Sequence, residues 1–443
     1  MDRTNRPARS AATQLLATAW LGAAGLGAAT LLAGCSRSDW EAVRYESGDT
    51  TVVRTVDGSV WGKPRALVER ARIDAEPADS LGRLRAVTSL ALGPNGEVYV
   101  VDGTLPAVRA YDRKGRYVRS FVAPLGQPGH YSQPNGVTVL SDGRVVIRDP
   151  RNSQMLVYSP RGSFLERWRH PPGVYSPIPL WADEEDRIYT RVIYNPQDPR
   201  EEWDEGFVRY GPDGEVRDTI PDPEVAYVPP RLPAASLRGD TAYFAVPLTP
   251  RAHWARSPTG EIVRGISDRY AIELIRPDGS VLRIEKEYEP APASREERAT
   301  LYREIDRQAK QIDYRWTWRG PVIPEEKPPF KWLFADAGGR IWVQLHQEAT
   351  LRTEAEAAAG PEGEAGSLEE EGAGSEAPEL PDVGDWTEPT VFDVFENDGS
   401  YLGQVRVPEN VRLLPLPAIR GNTVWAAVVD EAGEPGVVRF EIE

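Results

Sequence analysis

One short pattern recurs six times along this chain, and it constrains the fold more than any other feature. A turn is followed by a brief apolar run carrying an aromatic residue or Val near its start. It reads GEVYVVD at 96–102, GRVVIRD at 143–149, DRIYTRV at 186–192, DTAYFAV at 240–246, GRIWVQL at 339–345 and NTVWAAV at 422–428. Each copy follows another apolar run, so each turn is expected to join two antiparallel strands. Every copy but the last precedes a second turn: Asp112 to Gly115, Pro160 to Gly162, Pro212 to Gly214, Pro277 to Gly279 and Asn397 to Gly399. Gly and Asn tolerate the positive φ that such turns demand. The pattern therefore predicts six units of four strands, a to d, with side chains alternating every two residues.

A four-stranded sheet standing alone leaves both faces bare, so six of them predict an all-β, six-bladed β-propeller. The sixth unit stops after its third strand, at Gly436 to Glu443, and needs an N-terminal strand to complete it. Leu67 to Ile73 fits this role, with Thr51 to Val56 as the alternative or as an extra edge strand. Closing the ring in this way removes a sheet edge open to aggregation. Blades one and two, VYVVDGTLPAVRAYDRKGRYV at 98–118 and VVIRDPRNSQMLVYSPRGSFL at 145–165, resemble the NHL-repeat propellers: strand, Asp, loop, strand, then a turn closed by Gly. Later blades depart from the likeness, with Val192, Val246, Leu345 and Val428 where Asp102 and Asp149 stand. The resemblance implies a fold and leaves activity open.

Insertions account for the remaining length. Long b-to-c connections are expected at Tyr194 to Glu205, Pro247 to Asp268 and Gln347 to Trp386, all on the top face of the ring. Residues 353–385 hold eleven carboxylates and no Lys or Arg, a composition that predicts disorder. Between blades four and five, residues 294–313 predict a surface helix. Ser294 and Glu297 have capping-box spacing, and Leu301, Ile305, Ala309 and Ile312 form one apolar stripe.

The N-terminus carries an address. Arg3, Arg6 and Arg9 precede an apolar stretch from Leu15 to Leu32, then Leu32-Ala33-Gly34-Cys35. This resembles the lipobox of bacterial lipoproteins, and Cys35 is the single cysteine of 443 residues. Residues 1–34 are therefore expected to be a signal peptide, 35–50 a lipidated tether and 51–443 the propeller. Ser36 after the Cys, by likeness to enterobacterial sorting, favours the outer membrane, facing periplasm or cell exterior. The leader holds three Arg and one Asp, so the chain's net charge of −16 becomes −18 without it. Nucleic acid is excluded as a partner on that charge.

The candidate functional residues follow from the blade map. His130 and His170 are expected in d-to-a crossings, and His253 and His346 in b-to-c connections, so all four should share the top face. Their spacing matches no compact metal motif, and no cofactor is expected; the alternative is Ca or Zn held by these His with Asp102 and Asp149. Asp102 and Asp149 end equivalent strands, where a carboxylate commonly accepts turn N–H groups. Arg148 has no repeat counterpart and is a candidate ligand contact. Tyr99, Tyr189, Tyr243, Trp342 and Trp425 share one repeat position and are expected between blades. Trp203, Trp254 and Trp386 lie in or beside the inserted loops, where aromatics carry recognition or pin the loop down. No nucleophile motif is present. The expected binding set is Arg148, Asp149, Asp102, Trp203, His253, Trp254 and His346, with Cys35 as the lipid attachment. The expected function is a membrane-tethered scaffold for a protein, peptide or glycan; the alternative is a metal-dependent hydrolase or lyase at the top of the axis.

Overall fold

The computed structural model describes residues 30–31, 39–73, 83–170, 180–193, 205–223, 227–236, 241–351, 386–430 and 432–443. Cys35, Trp203, most of the 194–205 connection and the 353–385 insertion fall outside them.

The chain is mostly strand. Three sheets are self-contained four-stranded meanders. The first unit is Val87–Leu92, Val98–Asp102, Ala107–Tyr111 and Tyr117–Phe121. The second is Gly136–Val139, Val145–Asp149, Gln154–Tyr158 and Phe164–Arg169; the third is Trp181–Ala182, Ile188–Ile193, Glu205–Tyr210 and Val216–Pro221. A fourth meander, Ala252–Arg256, Ile262–Ile266, Ala271–Ile275 and Val281–Lys286, gains three outer strands, because Thr50–Asp57 pairs parallel to Val281–Lys286, then with Glu41–Ser47, which pairs with Thr30–Leu31. Thr51 to Val56 is thus an extra strand of the fourth unit, but it is paired on both sides and is not an edge.

The last two units abut in one eight-stranded sheet. Phe330–Ala335, Ile341–Leu345, Val391–Phe395 and Tyr401–Arg406 form the fifth. Ala418–Arg420, Thr423–Val429 and Pro435–Ile442 form the sixth, and Arg65–Ile73 supplies its fourth strand, with Leu67 opposite Ile442 and Ile73 opposite Val437. Their strands are paired through Val405–Arg65 and Arg406–Ala66, which run parallel.

Packing explains the sequence pattern. The middle strands Val98–Asp102, Ala107–Tyr111, Val145–Asp149, Gln154–Tyr158 and Ile341–Leu345 are buried at every position, because both faces of their sheets are covered. Outer strands such as Phe164–Arg169 face solvent at most positions, with Trp168 buried. Shared apolar clusters join the first unit to the second, the second to the third, the fourth to the fifth, the fifth to the sixth and the sixth to the first. Among the described residues no such cluster joins the third unit to the fourth. That seam is held differently, as described below.

Blade four requires a correction. DTAYFAV at 240–246 is not its second strand: Thr241–Ala245 pairs with Arg231–Ala235 in a separate two-stranded hairpin. The second strand is Ile262–Ile266, which follows the Gly260 turn and pairs with Ala271–Ile275. The b-to-c connection of this unit is therefore short, and Pro247 to Asp268 is not an inserted loop. Tyr243 is accordingly 56% exposed, whereas Tyr99, Tyr189, Trp342 and Trp425 at the matching position are buried.

The helix Arg295–Ile312 lies where the spacing placed it, with the Ser294 hydroxyl accepting from the Glu297 N–H at 3.0 Å. Its stripe of Leu301, Ile305 and Ala309 packs on Leu232 and Ala234 of the separate hairpin and on Trp316 and Ile323. Burying three such side chains contributes about 5 kcal/mol toward holding hairpin and helix together.

Candidate functional site

The first strands of all six units line one cavity of 580 Å³. Its wall includes Leu90, Thr138, Trp181, Trp254, Trp332 and Ile419, one from each unit's inner edge. This volume is in the range that encloses a small organic ligand. The carboxylates on the wall, Asp183, Glu184, Asp186 and Asp336, sit in the first hairpin turns of the third and fifth units. Three are committed locally. Asp183 bonds Arg187 Nε at 2.6 Å, Asp186 accepts from the Ser141 hydroxyl at 2.6 Å, and Asp336 accepts from Trp342 Nε1 at 3.0 Å.

The seam between the third and fourth units opens onto this cavity. Trp181 stacks on Tyr189 with ring centroids 5.5 Å apart and meets Phe207 edge-on at 5.1 Å. Across the seam Trp254 meets Phe207 edge-on at 6.0 Å. Arg191, nearly buried, bridges Glu205 at 2.8 Å and Asp222 at 2.5 Å and lies 5.4 Å from the Trp254 ring. Residues 252–256 alternate as a strand must, so Trp254 and Arg256 point one way and His253 and Ala255 the other. Arg256 rests 5.6 Å from the Phe207 ring centroid.

Arg256 is the unusual group. It lines the cavity, yet among the described residues no carboxylate or carbonyl is hydrogen-bonded to its guanidinium, and its Nε is buried without an acceptor. Burial lowers its pKa; Tyr189 and Asp222 oppose that through space. Three further buried polar atoms on the same wall also lack a hydrogen-bond partner among the described residues: Trp181 Nε1, Arg191 Nε and His253 Nε2. Burial, with Arg251 and His346 adding to it, pushes the His253 pKa down to about 3, so the imidazole is neutral at pH 7. A buried polar group left unsatisfied costs about 1–3 kcal/mol. Four around one cavity can be completed by a ligand or by water held there.

The other sequence-derived candidates lie elsewhere. Asp102 is fully buried and accepts N–H bonds from Arg85 (2.9 Å), Thr104 (3.1 Å) and Leu105 (3.1 Å). Asp149 accepts from the Gln133 N–H at 3.1 Å, Asn152 Nδ2 at 2.6 Å and Gln154 Nε2 at 2.9 Å. Both carboxylates organise the loops beside them. Arg148, also fully buried, donates to Asn135 Oδ1 at 2.8 Å and Thr190 Oγ1 at 2.9 Å, and burial lowers its pKa to about 10.

The histidines are not gathered at one point. His130 contacts the Ala123 carbonyl at 3.2 Å and buried His170 lies 3.4 Å from Thr190 Oγ1. His253 is not in a connection at all; with Trp254 it belongs to the inner strand Ala252–Arg256, because the blade-four register differs from the expected one. His346 follows Ile341–Leu345 and contacts Glu388 at 3.1 Å. Among the described residues no three of His, Cys, Asp and Glu come together as metal ligands would.

Glu388 anchors a buried ionic cluster beneath the helix. Lys327, with a fully buried side chain, reaches Glu297 at 2.7 Å, Glu388 at 2.9 Å and the Gln347 carbonyl at 3.0 Å. Lys331 reaches the other Glu388 oxygen at 3.1 Å. Burial alone would raise the Glu388 pKa. The His346 hydrogen bond and the lysine ammoniums outweigh burial and hold the carboxyl well below the usual carboxylate range.

Four-stranded sheets set around a shared cavity define the class: a β-propeller. No protein-family model and no curated protein matches the chain. Among solved structures it is similar to a member of the DUF4221 family from Bacteroides vulgatus, with 11% identity over 86% of this chain and 99% of that one and a TM-score of 0.43. A virginiamycin B lyase from Staphylococcus aureus shares 12% identity over 84% of this chain and 99% of that one, with a TM-score of 0.37. A gluconolactonase from Xanthomonas campestris shares 11% over 86% and 95%, with a TM-score of 0.34. Likenesses this distant carry no argument about activity.

Proposed function

We propose that this chain is a lipid-anchored, extracytoplasmic propeller of six NHL-like blades, closed by Arg65–Ile73, that binds a small ligand in its central cavity. The single observation behind the binding role is the seam between the third and fourth units. Trp181 Nε1, Arg191 Nε and Arg256 Nε, buried polar atoms without hydrogen-bond partners among the described residues, meet the cavity there, at the interface that lacks an apolar cluster. Binding rather than catalysis is the better reading, because among the described wall residues no hydroxyl is paired with an imidazole, and burial lowers the pKa of the wall histidine, His253, to about 3. The macromolecular partner expected of the long loops is a separate proposal, resting on segments 194–204 and 352–385. Export and anchoring rest on the Cys35 lipobox; Cys35→Ala should move the protein out of the membrane fraction.

Saturation-transfer NMR on residues 36–443 with a mixed fragment set of acids, bases and neutral compounds tests the cavity. Bound fragments should be lost when Ala255→Trp fills the wall and kept when residues 353–385 are deleted. The reverse pattern would move the site to the loops and overturn the cavity reading.

A further inference from the structure

We propose, resting on the cavity reading above, that the ligand is an organic monocarboxylate with a planar ring body, its carboxylate received by Arg256 and its ring by Phe207, Trp181 and Trp254. The two cationic groups at the seam differ in their commitments. Arg191 is neutralised by two carboxylates, with one terminal nitrogen shared between Glu205 and Asp222, although its Nε lacks a hydrogen-bond partner among the described residues. Arg256 has no hydrogen-bonded acceptor among the described residues, although Asp222 and Asp218 act on it through space. An arginine fork presents paired donors that fit the two oxygens of a carboxylate, and such charge-assisted bonds are about twice as strong as neutral ones. One vacant guanidinium matches one carboxylate.

The remainder of the ligand is set by the walls. Phe207 is contacted by Trp181 from its own unit and by Trp254 and Arg256 from across the seam. A flat ring entering here would meet aromatic surface on the side where the charge is received. Neutral His253 adds no charge to the wall, and its Nε2 offers one further hydrogen bond to a polar substituent. A cationic ligand would face Arg256 with like charge. A neutral one would leave the guanidinium short of a charged acceptor.

The probes are 2-naphthoate and 2-naphthamide, which share a ring body and differ in charge, titrated by calorimetry into residues 36–443. The carboxylate should bind at least about 10-fold more tightly than the amide, and Arg256→Gln should abolish that preference while leaving amide binding within about 3-fold. Arg256→Lys keeps the charge but loses the fork and should fall between the two. Thermal melting of each variant reports whether it folds, and the preference of the unaltered protein tests the inference without any variant. Equal affinity for the two probes would overturn the carboxylate assignment and leave the cavity reading standing. No binding of either would overturn both.

Discussion

Lys327 fastens the helix to the fifth unit, and replacing it should be among the most damaging single changes outside the apolar core. Its side chain is fully buried between Glu297 of the helix and Glu388 of the connection leading to Val391–Phe395. In Lys327→Met the two carboxylates fare differently. Glu388 keeps Lys331, the Gln347 N–H at 3.0 Å and His346. Glu297 keeps no hydrogen-bond or ion-pair partner among the described residues, because its second oxygen already lacks one. Removing one partner of a buried pair costs about 3–5 kcal/mol, chiefly because the other charge is left uncompensated.

Almost all of that cost should therefore sit on Glu297. Lys327→Met combined with Glu297→Leu removes both charges, and should lie within about 1–2 kcal/mol of the unaltered protein, since apolar replacement of a buried pair is often near neutral. The helix cap survives, because Ser294 accepts from the Glu297 backbone and not from its side chain. Urea unfolding followed by Trp fluorescence gives all three stabilities. A single variant costing less than about 1 kcal/mol would refute the reasoning, as would a double variant no more stable than the single.

Acid should weaken the fold through His253. Its folded pKa is depressed to about 3, so below the unfolded value near 6.5 the unfolded chain takes up a proton that the folded chain refuses. This stability is complete above pH 6.5 and is lost by about 1.4 kcal/mol per unit as pH falls toward 3. Melting temperatures from pH 7 to 4 should fall less steeply for His253→Gln; parallel curves would contradict the assignment. Arg256→Met, by removing a buried cation without a hydrogen-bonded acceptor, should raise stability by about 1–2 kcal/mol while losing carboxylate binding, and a lower melting point would count against a vacant guanidinium. Asp393→Ala strands the Tyr270 and Tyr401 hydroxyls, both at 2.7 Å, and the Lys286 ammonium at 2.9 Å, and should cost about 3 kcal/mol in the same urea assay. Starting the chain after residue 73 leaves Pro435–Ile442 without its outer neighbour, so the truncated protein should aggregate or melt well below the longer one; equal melting would remove Arg65–Ile73 from any closing role.

Much of the fold was legible because its signals are local. Turns such as Asp112 to Gly115 and Asn397 to Gly399 need positive φ at their glycines, +75° and +91°, and few other residues accept that cheaply. The capping box at Ser294 and Glu297 marked the helix start. The shortfall of one strand at the C-terminus pointed to Leu67–Ile73. The same locality explains the misplaced blade. DTAYFAV has the pattern of a second strand and does form a strand, but pattern says nothing about which sheet receives it. The signal that would have corrected it is GEIVRGI at 260–266, a turn glycine followed by an apolar run, directly ahead of a third strand. Trp254 and His253 were singled out as loop residues and prove to lie on an inner strand. Trp181, Arg191 and Arg256 were passed over because what distinguishes them is their company in the folded chain: Trp181 meets Phe207 of its own unit, and Arg191 and Arg256 reach Trp254 and Phe207 across the seam.

The position of that seam follows from how the units are assembled. The other five interfaces are joined by apolar clusters, and the sixth unit is tied across the chain's two ends by the pairing of Arg65–Ile73 with Pro435–Ile442. Where third and fourth units meet, the third contributes an inner strand of only two residues, Trp181–Ala182, and the chain departs into the separate hairpin before returning as Ala252–Arg256. With so short a strand, aliphatic side chains cannot interdigitate along its length. Wide aromatic rings and an arginine bridge span the gap instead. Those groups bring polar atoms to the axis that an aliphatic interface would not, and they carry a stability cost that the five apolar interfaces can bear. The same departure of the chain that disguised blade four in the sequence is what opens the cavity wall at Arg256.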